Sequence, residues 1–373
     1  MLKNIMVNAT SATIGGSLTI LNQFIENIDN GLDKNKKYYI FVPITSPLKS
    51  FDNVVIIPIM AKKYIDRINW DLNGMKRWCK KNDIKPDLII SLQNTAVAFG
   101  GVPQIIYLHQ SLPYAKESSW NILKKDERKM WFYKYIYKMW INLSVKKQHY
   151  IVVQTEWMKE AIKKSGYNEN KIIVSRPKIN PIDINKVKKL DKKNKKYLFY
   201  PAADYKYKNH TIVVEAMKIL LDKDPQIVND IRIIFTLDKE ANINEKIIKY
   251  GLDGTIKLIG SLKYEDVLSY YRSSDIILFP SYVETFGLPL VEASYFEKTI
   301  IASDCFYSRE VLDGYNMVDF VKYNDASSWS NAIIENLKHN KGNNIPYNQN
   351  GENGWEKIFN LIDSIVQPNG GES

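Results

Sequence analysis

Short apolar runs of strand length alternate with helical stretches along the first half of the chain. The runs read KNIMVNA, KYYIFVPI, NVVIIPI, PDLIISLQ, QIIYLHQ and YIVVQT. Between the first two runs, apolar residues recur at the spacing of one helical face, at Leu18, Leu21, Ile25 and Ile28. Strands that alternate with helices predict a doubly wound parallel sheet.

The alternation stops at a lysine-rich segment, residues 185–196, and then restarts with the runs KYLFYP, IRIIFTL, TIKLIG, DIILFPS and KTIIASD. We therefore predict an α/β protein of two Rossmann-like doubly wound domains, 1–184 and 197–353, facing across a cleft and joined by the linker 185–196. The amphipathic helix 354–366 is expected to pack back on the first domain. Ligands of open α/β sheets bind beyond the carboxyl ends of the strands, so we expect the site in the cleft.

Composition agrees with two globular domains and adds a preference for anionic partners. The chain has 373 residues, 45% of them hydrophobic, and single cores stop growing near ~250–300 residues. A formal charge of +11 favours nucleic acid, phosphorylated small molecules or an anionic membrane surface. Two widely separated cysteines fit a reducing compartment. We find neither a signal peptide nor an apolar run long enough to cross a bilayer, so we expect a cytoplasmic protein.

The stretch FPSYVETFGLPLVEASYF, residues 279–296, places two carboxylates and a glycine directly after a buried strand. A helix is predicted to begin beside Pro289, and its first amides favour anions. These amides belong to Thr285, Phe286, Gly287 and Leu288. The carboxylates of Glu284 and Glu292 accept hydrogen bonds at both oxygens and therefore suit a hydroxylated ligand. From spacing alone, a solvent-facing Glu292 and a simple packing turn are an equal alternative.

The longer segment SSDIILFPSYVETFGLPLVEASYFEKTIIASD resembles the donor-site signature of retaining GT-B glycosyltransferases of family four, the glycosyl transferases group 1. That signature contains two glutamates separated by seven residues. The resemblance implies that Glu284 and the amides of Phe286 and Gly287 contact the donor sugar, and that Glu292 binds the ribose hydroxyls. It also implies a nucleotide-sugar donor and chemistry that needs no metal and no cofactor.

A second motif, YPAADYKYKNH, places Lys208 where a strand passes into a helix. A lysine at such a junction is suited to bind a diphosphate. The family pattern has a lysine here and an arginine five residues earlier, where this chain has Ala203. We expect Lys206 to supply the missing charge. The alternative for both lysines is an ordinary solvated side chain.

Two further motifs lie in the first domain. Gly15 and Gly16 stand in the first strand-to-helix turn, where the family has a glycine-rich loop near the donor phosphates; a plain tight turn is the alternative. His109 ends the run QIIYLH and resembles the family histidine beside the sugar, although a lone histidine is often structural. We expect the following residues to touch the acceptor: Gln110, Ser111 and Tyr114.

The segment 121–150 is basic and aromatic, with eight lysines and arginines against two acidic residues. Apolar side chains fall on one helical face, at Phe132, Ile136, Trp140 and Leu143, while Lys134 and Lys138 are expected to point away. Such helices lie on anionic membranes, so we expect peripheral contact with the inner face of the plasma membrane through residues 124–147. The alternative is a surface helix that packs its stripe into the domain.

Together these features predict a retaining hexosyltransferase with His109, Glu284 and Lys208 at the reaction centre. The donor is expected to be a nucleotide sugar, with GDP-mannose favoured by resemblance. The acceptor is expected to be a glycan, lipid-linked, in O-antigen, lipopolysaccharide or capsule synthesis. The alternatives are a nucleotide-sugar 2-epimerase of the same fold, a glycogen-synthase-like or sucrose-type enzyme, and a basic nucleic-acid-binding protein, although we expect no nucleic-acid partner. The triplet 222–224, Asp-Lys-Asp, is interpreted as a loop and not as a metal site.

Overall fold

The computed structural model describes residues 2–13, 16–29, 35–61, 63–116, 119–179, 182–338 and 354–366. Gly15 lies outside the described residues. The chain divides into two compact units. The first contains the described residues up to Lys178 together with the C-terminal helix, and the second begins at Ile179.

Strands and helices alternate within each unit. The strands are β1 (Lys3–Asn8), β2 (Lys36–Pro43), β3 (Val54–Ile59), β4 (Leu88–Ser91), β5 (Gln104–Tyr107), β6 (Tyr150–Val153), β7 (Ile172–Val174), β8 (Lys196–Tyr200), β9 (Ile231–Phe235), β10 (Ile256–Leu258), β11 (Ile276–Phe279), β12 (Thr299–Ser303) and β13 (Val318–Val321). The helices are α1 (Gly16–Asn27), α2 (Tyr64–Asn69), α3 (Met75–Lys81), α4 (Arg128–Trp131), α5 (Lys138–Ser144), α6 (Glu156–Lys163), α7 (His210–Lys223), α8 (Pro225–Asn229), α9 (Ile243–Lys249), α10 (Tyr264–Ser273), α11 (Leu288–Tyr295), α12 (Phe306–Val311), α13 (Ala326–Lys338) and α14 (Gly354–Val366). Single π-helical segments, Trp70–Gly74 and Phe132–Tyr137, join α2 to α3 and α4 to α5.

Each unit is built on a parallel sheet that is buried on both faces. Within the described residues, the first sheet has the order β3-β2-β1-β4-β5-β6-β7 and the second has the order β10-β9-β8-β11-β12-β13. All strand pairs of both sheets are parallel. Burial on both faces explains why the central strands are continuous apolar runs rather than alternating ones. The two Rossmann-like domains expected from the sequence are therefore present.

The strand order of each sheet reverses at one place, and that place determines where a ligand can bind. The reversal lies between β1 and β4 in the first sheet and between β8 and β11 in the second. The connections leaving these neighbouring strands run to opposite faces of the sheet, which opens a crevice at their carboxyl ends. The motifs predicted from the sequence follow β1, β8 and β11.

The C-terminal helix α14 completes the core of the first unit. Its buried apolar side chains join the cluster that contains β1, β2 and α1, and they are Trp355, Ile358, Phe359, Ile362 and Val366. Lys36 on β2 is 2% exposed and pairs with Asp363 at 2.5 Å. Ser175 Oγ also donates a hydrogen bond to the backbone oxygen of Gly354 at 2.8 Å. The helix at 354–366 therefore packs on the first sheet.

The segment 185–196 is not a free linker, because it packs on the second unit. The backbone N–H of Leu190 donates to Ser273 Oγ at 2.8 Å, and Lys192 pairs with Asp275 at 2.7 Å. Lys196 is already the first residue of β8. The boundary between the units falls between Lys178 and Ile179, which is earlier in the chain than the sequence interpretation placed it. The lysine-rich composition misled that interpretation, because several of these lysines find carboxylate or carbonyl partners.

Candidate active site

Lys208 and Glu284 form an ion pair at the strand-order reversal of the second sheet. Lys208 follows β8 in a short 3₁₀ turn, and Glu284 follows β11, the strand paired with β8. Lys208 Nζ donates to Glu284 Oε1, and the two side chains are only 18% and 15% exposed. Limited exposure strengthens such a pair relative to a surface salt bridge. The topology thus brings together two residues that are 76 positions apart in the sequence.

The turn that carries Lys208 is fixed by hydrogen bonds to its backbone and its neighbour. The Tyr200 hydroxyl donates to the backbone oxygen of Lys208 at 2.8 Å. Asn209 adopts a left-handed conformation, with φ of 60°, and its side-chain amide donates to the backbone oxygen of Tyr323 at 2.7 Å. Asparagine tolerates this conformation better than most residues, which explains its place between the 3₁₀ turn and α7. These hydrogen bonds fix the backbone from which the Lys208 side chain extends.

The loop after β11 is anchored to the core by hydrogen bonds. The backbone amides at the start of α11 are left without a hydrogen-bond acceptor among the described residues. Ser281 is fully buried, and its backbone oxygen accepts a hydrogen bond from the Tyr307 hydroxyl at 2.5 Å. Gly287 has φ of +93°, and an added Cβ would lie 3.3 Å from Leu290 Cδ1. Among the described residues, no acceptor is found for the amides of Phe286, Gly287 and Leu288. Open amides at a helix start form an anion-binding site, and here they follow Glu284 in the chain.

Glu292 lies further along α11 and contacts α10. The Tyr264 hydroxyl donates to Glu292 Oε1 at 3.2 Å. Burial raises the pKa of Glu292 above its usual range, although the hydrogen bond from the Tyr264 hydroxyl acts to lower it. The side chain is half-buried and does not simply face solvent. Its carboxylate is an acceptor held in one orientation on the helix that the sequence predicts.

The other residues predicted for this part of the site are less enclosed. Lys206 and Ala203 are exposed, and Thr285 and Leu288 are half-buried. The triplet 222–224 lies at the end of α7 and the start of α8, where Asp224 caps α8 through the amide of Ile227. Within the described part of the chain, no group of three or more His, Cys, Asp or Glu side chains could hold a metal ion.

His109 lines a polar cavity of about 200 Å³ in the first unit. Its backbone N–H donates to Asn94 Oδ1 at 2.7 Å, which ties the end of β5 to the end of β4. Its Nδ1 atom is buried and has no partner among the described residues. Burial lowers the pKa of His109 to about 4, so the ring is neutral at pH 7. A neutral imidazole can donate to or accept from a sugar hydroxyl.

Asp71 lines the same cavity and was not identified from the sequence. Its carboxylate accepts hydrogen bonds from Asn8 Nδ2 at 2.8 Å, Gln93 Nε2 at 2.8 Å and Thr95 Oγ1 at 3.0 Å. Burial raises the pKa of Asp71 to about 7, although these hydrogen bonds act to lower it. Arg67 also lines this cavity. The polar ends of β1 and β4 are therefore organised around one buried carboxyl group.

The predicted acceptor residues divide between the cavity and the core. Gln110 lines the cavity. Ser111 is buried, and Tyr114 packs in the apolar cluster beneath β5 and β6. Gly16 is the exposed first residue of α1, with open space where a side chain would stand. A direct acceptor contact therefore fits Gln110 better than Ser111 or Tyr114.

The basic aromatic helix comprises α4, the π-helical segment and α5, residues 128–144. Its apolar stripe faces outward, in contrast to the alternative in which the stripe packs into the domain. Phe132, Ile136 and Leu143 are 37%, 39% and 67% exposed. The buried face instead carries the residues Met130, Tyr137 and Ile141. Lys134 Nζ donates to the backbone oxygen of Ala115 at 2.8 Å, and Lys138 Nζ lies 5.4 Å from the centre of the Tyr114 ring.

These contacts correct the sequence expectation about the two lysines, and the exposed stripe argues against the alternative in which it packs inward. The two lysines do not point away from the protein, because they lean on the loop at 111–115. The outward surface is formed largely by the apolar stripe, with Trp140 half-buried against the core. Among the described residues, no helix is both long enough and apolar enough to cross a membrane.

Comparison with known proteins identifies the family. The profile of glycosyl transferases group 1 matches residues 181–354, and the profile of glycosyltransferase family 4 matches residues 24–181. The two matches adjoin and together span 24–354, so the chain belongs to these GT-B glycosyltransferases and is a glycosyltransferase. Their junction lies close to the boundary between the two units.

Individual relatives agree with this assignment. The O-antigen chain mannosyltransferase RfbU of Salmonella typhimurium (strain LT2) is 23% identical over 249 residues, which is 65% of this chain and 67% of the relative. A D-inositol 3-phosphate glycosyltransferase of Arthrobacter sp. (strain FB24) is 24% identical over 140 residues, 37% of this chain. That alignment covers only 33% of the relative.

Solved structures share the fold across the chain. The sucrose-phosphate synthase of Thermosynechococcus elongatus superposes with a TM-score of 0.67 at 13% identity, covering 98% of this chain and 97% of that one. WaaG, a glycosyltransferase involved in lipopolysaccharide biosynthesis, superposes with a TM-score of 0.66 at 12% identity over 90% of each chain. These superpositions establish the fold. At such low identities the donor and the acceptor have to be argued from the site itself.

Proposed function

We propose that this chain transfers a sugar from a nucleoside diphosphate sugar to a hydroxyl group of a glycan in cell-surface polysaccharide synthesis, with retention at the anomeric carbon. The observation that carries the proposal is the Lys208–Glu284 pair beside the open amides of 286–288. Lys208 and the amides supply positive charge for a diphosphate, and Glu284 supplies an acceptor for sugar hydroxyls. The family match favours transfer over the epimerase alternative.

In this mechanism the bond between the anomeric carbon and the diphosphate breaks while the acceptor oxygen bonds to the same face of the sugar. The acceptor proton passes to an oxygen of the departing diphosphate. Lys208 and the amides at the start of α11 stabilise the charge that develops on the diphosphate. Glu284 orients the sugar, and neutral His109 hydrogen-bonds to a hydroxyl in the cavity of the first unit.

GDP-mannose is the donor we favour. The similarity to a protein named as a mannosyltransferase supports mannose, as does the variant of the motifs around His109 and Lys208. We place the ribose at Glu292, because its carboxylate is half-buried and held on the donor-side helix.

A lipid-linked acceptor at the inner face of the plasma membrane is the acceptor class we favour. The helix from 128 to 144 exposes an apolar stripe, and the segment around it is strongly basic. Exposed apolar patches mark interaction surfaces, and a basic surround favours anionic lipid headgroups. Peripheral contact through residues 124–147 would bring the first unit close to acceptors that are anchored in the membrane.

Nucleotide binding tests the proposal directly. Thermal unfolding should be followed with UDP, GDP, dTDP and CMP, each with and without EDTA. At one hundred times the Kd, we expect GDP to raise the Tm by roughly 5–10 °C, unchanged by EDTA. The absence of a shift with every nucleotide would contradict a donor site, and salt-sensitive RNA binding in its place would favour a nucleic-acid-binding protein. A shift that EDTA abolishes would contradict metal-independent binding.

Replacing Glu292 with alanine tests the ribose contact. We expect the Kd for the bound nucleoside diphosphate to rise about tenfold or more, because a hydrogen bond to a charged group is lost. The Kd for the 2′,3′-dideoxy analogue should change little, since that ligand lacks the hydroxyls. Isothermal titration calorimetry measures both values. Glu265→Ala on the neighbouring helix α10, an exposed position, is the control. Equal losses for the two ligands would remove Glu292 from the ribose role.

A further inference from the structure

An apolar groove of about 390 Å³ lies beside the polar cavity of the first unit. Most of its lining is apolar, including the side chains of Leu72, Ala96, Val97, Phe99, Trp140 and Leu143. Its size falls within the roughly 300–1,000 Å³ that is typical of small-molecule sites. The groove is open to solvent, since two of its lining side chains, Leu72 and Leu143, are 41% and 67% exposed.

The groove and the polar cavity adjoin and share part of their lining. Asp71 and Trp140 line both. His109 and Arg67 line the polar cavity and not the groove, whereas Leu143 lines the groove and not the cavity. A ligand that occupies both spaces must therefore be polar at one end and apolar at the other.

The surface around the groove has the charge and apolar character of a lipid-binding face. The helix from 128 to 144 presents Ile136 and Leu143 outward, and α2 presents Ile65, which is 55% exposed. The exposed Lys146 also lines the groove. These features fit an amphiphile whose phosphate group is anionic and whose tail is a hydrocarbon.

We propose that this groove holds the hydrocarbon chain of a lipid-linked acceptor, while the polar cavity holds the acceptor sugar. The inference rests on the proposed function, because it names the part of the acceptor that the first unit recognises. The shared lining, together with the basic and apolar surround, favours the acceptor's own chain, because one amphiphile can then fill both spaces. A membrane phospholipid bound in the groove would leave the polar cavity without a ligand. A second copy of the protein that docked on the groove would not make use of the polar cavity either.

Binding of a fluorescent C20 prenyl diphosphate to the full chain tests the inference. We expect Leu143→Glu to raise its Kd about tenfold or more, because a charge replaces apolar surface that contacts the chain. Met139→Glu on the same helix is the matched control, since Met139 is 55% exposed and does not line the groove. Leu72→Glu, on the opposite wall, should repeat the effect of Leu143→Glu. Inorganic diphosphate should not displace the probe.

Several outcomes would overturn the inference. One is equal Kd values for Leu143→Glu and Met139→Glu, and another is displacement of the probe by inorganic diphosphate. Binding of phospholipid vesicles that depends on Leu143, without binding of the prenyl probe, would assign the groove to membrane lipid instead. A nucleotide-induced Tm shift without prenyl binding would keep the proposed transferase and remove the groove from it. Prenyl binding without any nucleotide shift would overturn the acceptor assignment, because no donor site would remain.

Discussion

Replacing Lys208 with methionine is expected to lower kcat/KM for sugar transfer by ~10²–10³, the loss typical of removing one preorganised donor from a site of developing charge. Methionine approximates the unbranched stem of the lysine side chain and removes its charge. Lys208 is held by its own backbone bond to Tyr200, so the 3₁₀ turn should survive the change. The measurement is steady-state transfer from the nucleotide sugar that stabilises the chain in the thermal assay.

Replacing Lys208 also leaves Glu284 without its cation. The effect of the substitution on catalysis therefore has to be separated from its effect on stability. Lys246 pairs with Glu215 at 2.5 Å on the same unit and is 30% exposed, which makes Lys246→Met a matched control. The double variant Lys208→Met with Glu284→Gln removes both charges. If the pair only stabilised the fold, the double variant would regain activity. A kcat/KM for Lys208→Met within threefold of that of Lys246→Met would remove Lys208 from the reaction centre.

The central strands could be predicted because they are buried on both faces. β1, β4, β8 and β11 lie inside their sheets, so each is a continuous apolar run in the sequence. The edge strands β7 and β13 were not predicted from the sequence. β7 has three residues and β13 has four, and both are only partly buried. Each of these two strands has a single buried residue, which leaves too little apolar pattern for recognition without the neighbouring strand.

The positions of Lys208 and Glu284 beyond the ends of β8 and β11 could be predicted because each residue follows a strand and belongs to a local motif. Asp71 could not be predicted in this way. It lies in a π-helical segment within a stretch whose apolar spacing is that of an ordinary helix, and its partners come from β1 and the loop after β4. Only the strand order brings these groups together. The contacts of Lys134 and Lys138 with the loop at 111–115 were missed for a related reason, since packing and not sequence spacing decides which face of the 128–144 helix meets the domain.

Replacing Trp355 with alanine is expected to lower the free energy of unfolding of the first unit by ~3–5 kcal/mol, as for other fully buried aromatic side chains. Trp355 is 1% exposed, and its ring centroid lies 5.8 Å from that of Phe24 and 6.1 Å from that of Tyr107. Its indole N–H donates to Gln23 Oε1 at 3.0 Å, so the substitution also leaves a buried acceptor unpaired. Urea unfolding followed by far-UV circular dichroism gives the change.

The position of Trp355 makes this a test of whether α14 belongs to the core rather than lying on its surface. Asn360→Ala, at an exposed position of the same helix, should change the free energy of unfolding by no more than about 0.5 kcal/mol. A surface helix would show similar small effects at both positions, because neither side chain would leave a cavity behind. A loss below about 1 kcal/mol for Trp355→Ala would therefore contradict the packing of α14 against α1 and β5. A large loss confined to Trp355 would mean that the first sheet depends for its core on residues that follow the whole second unit in the sequence.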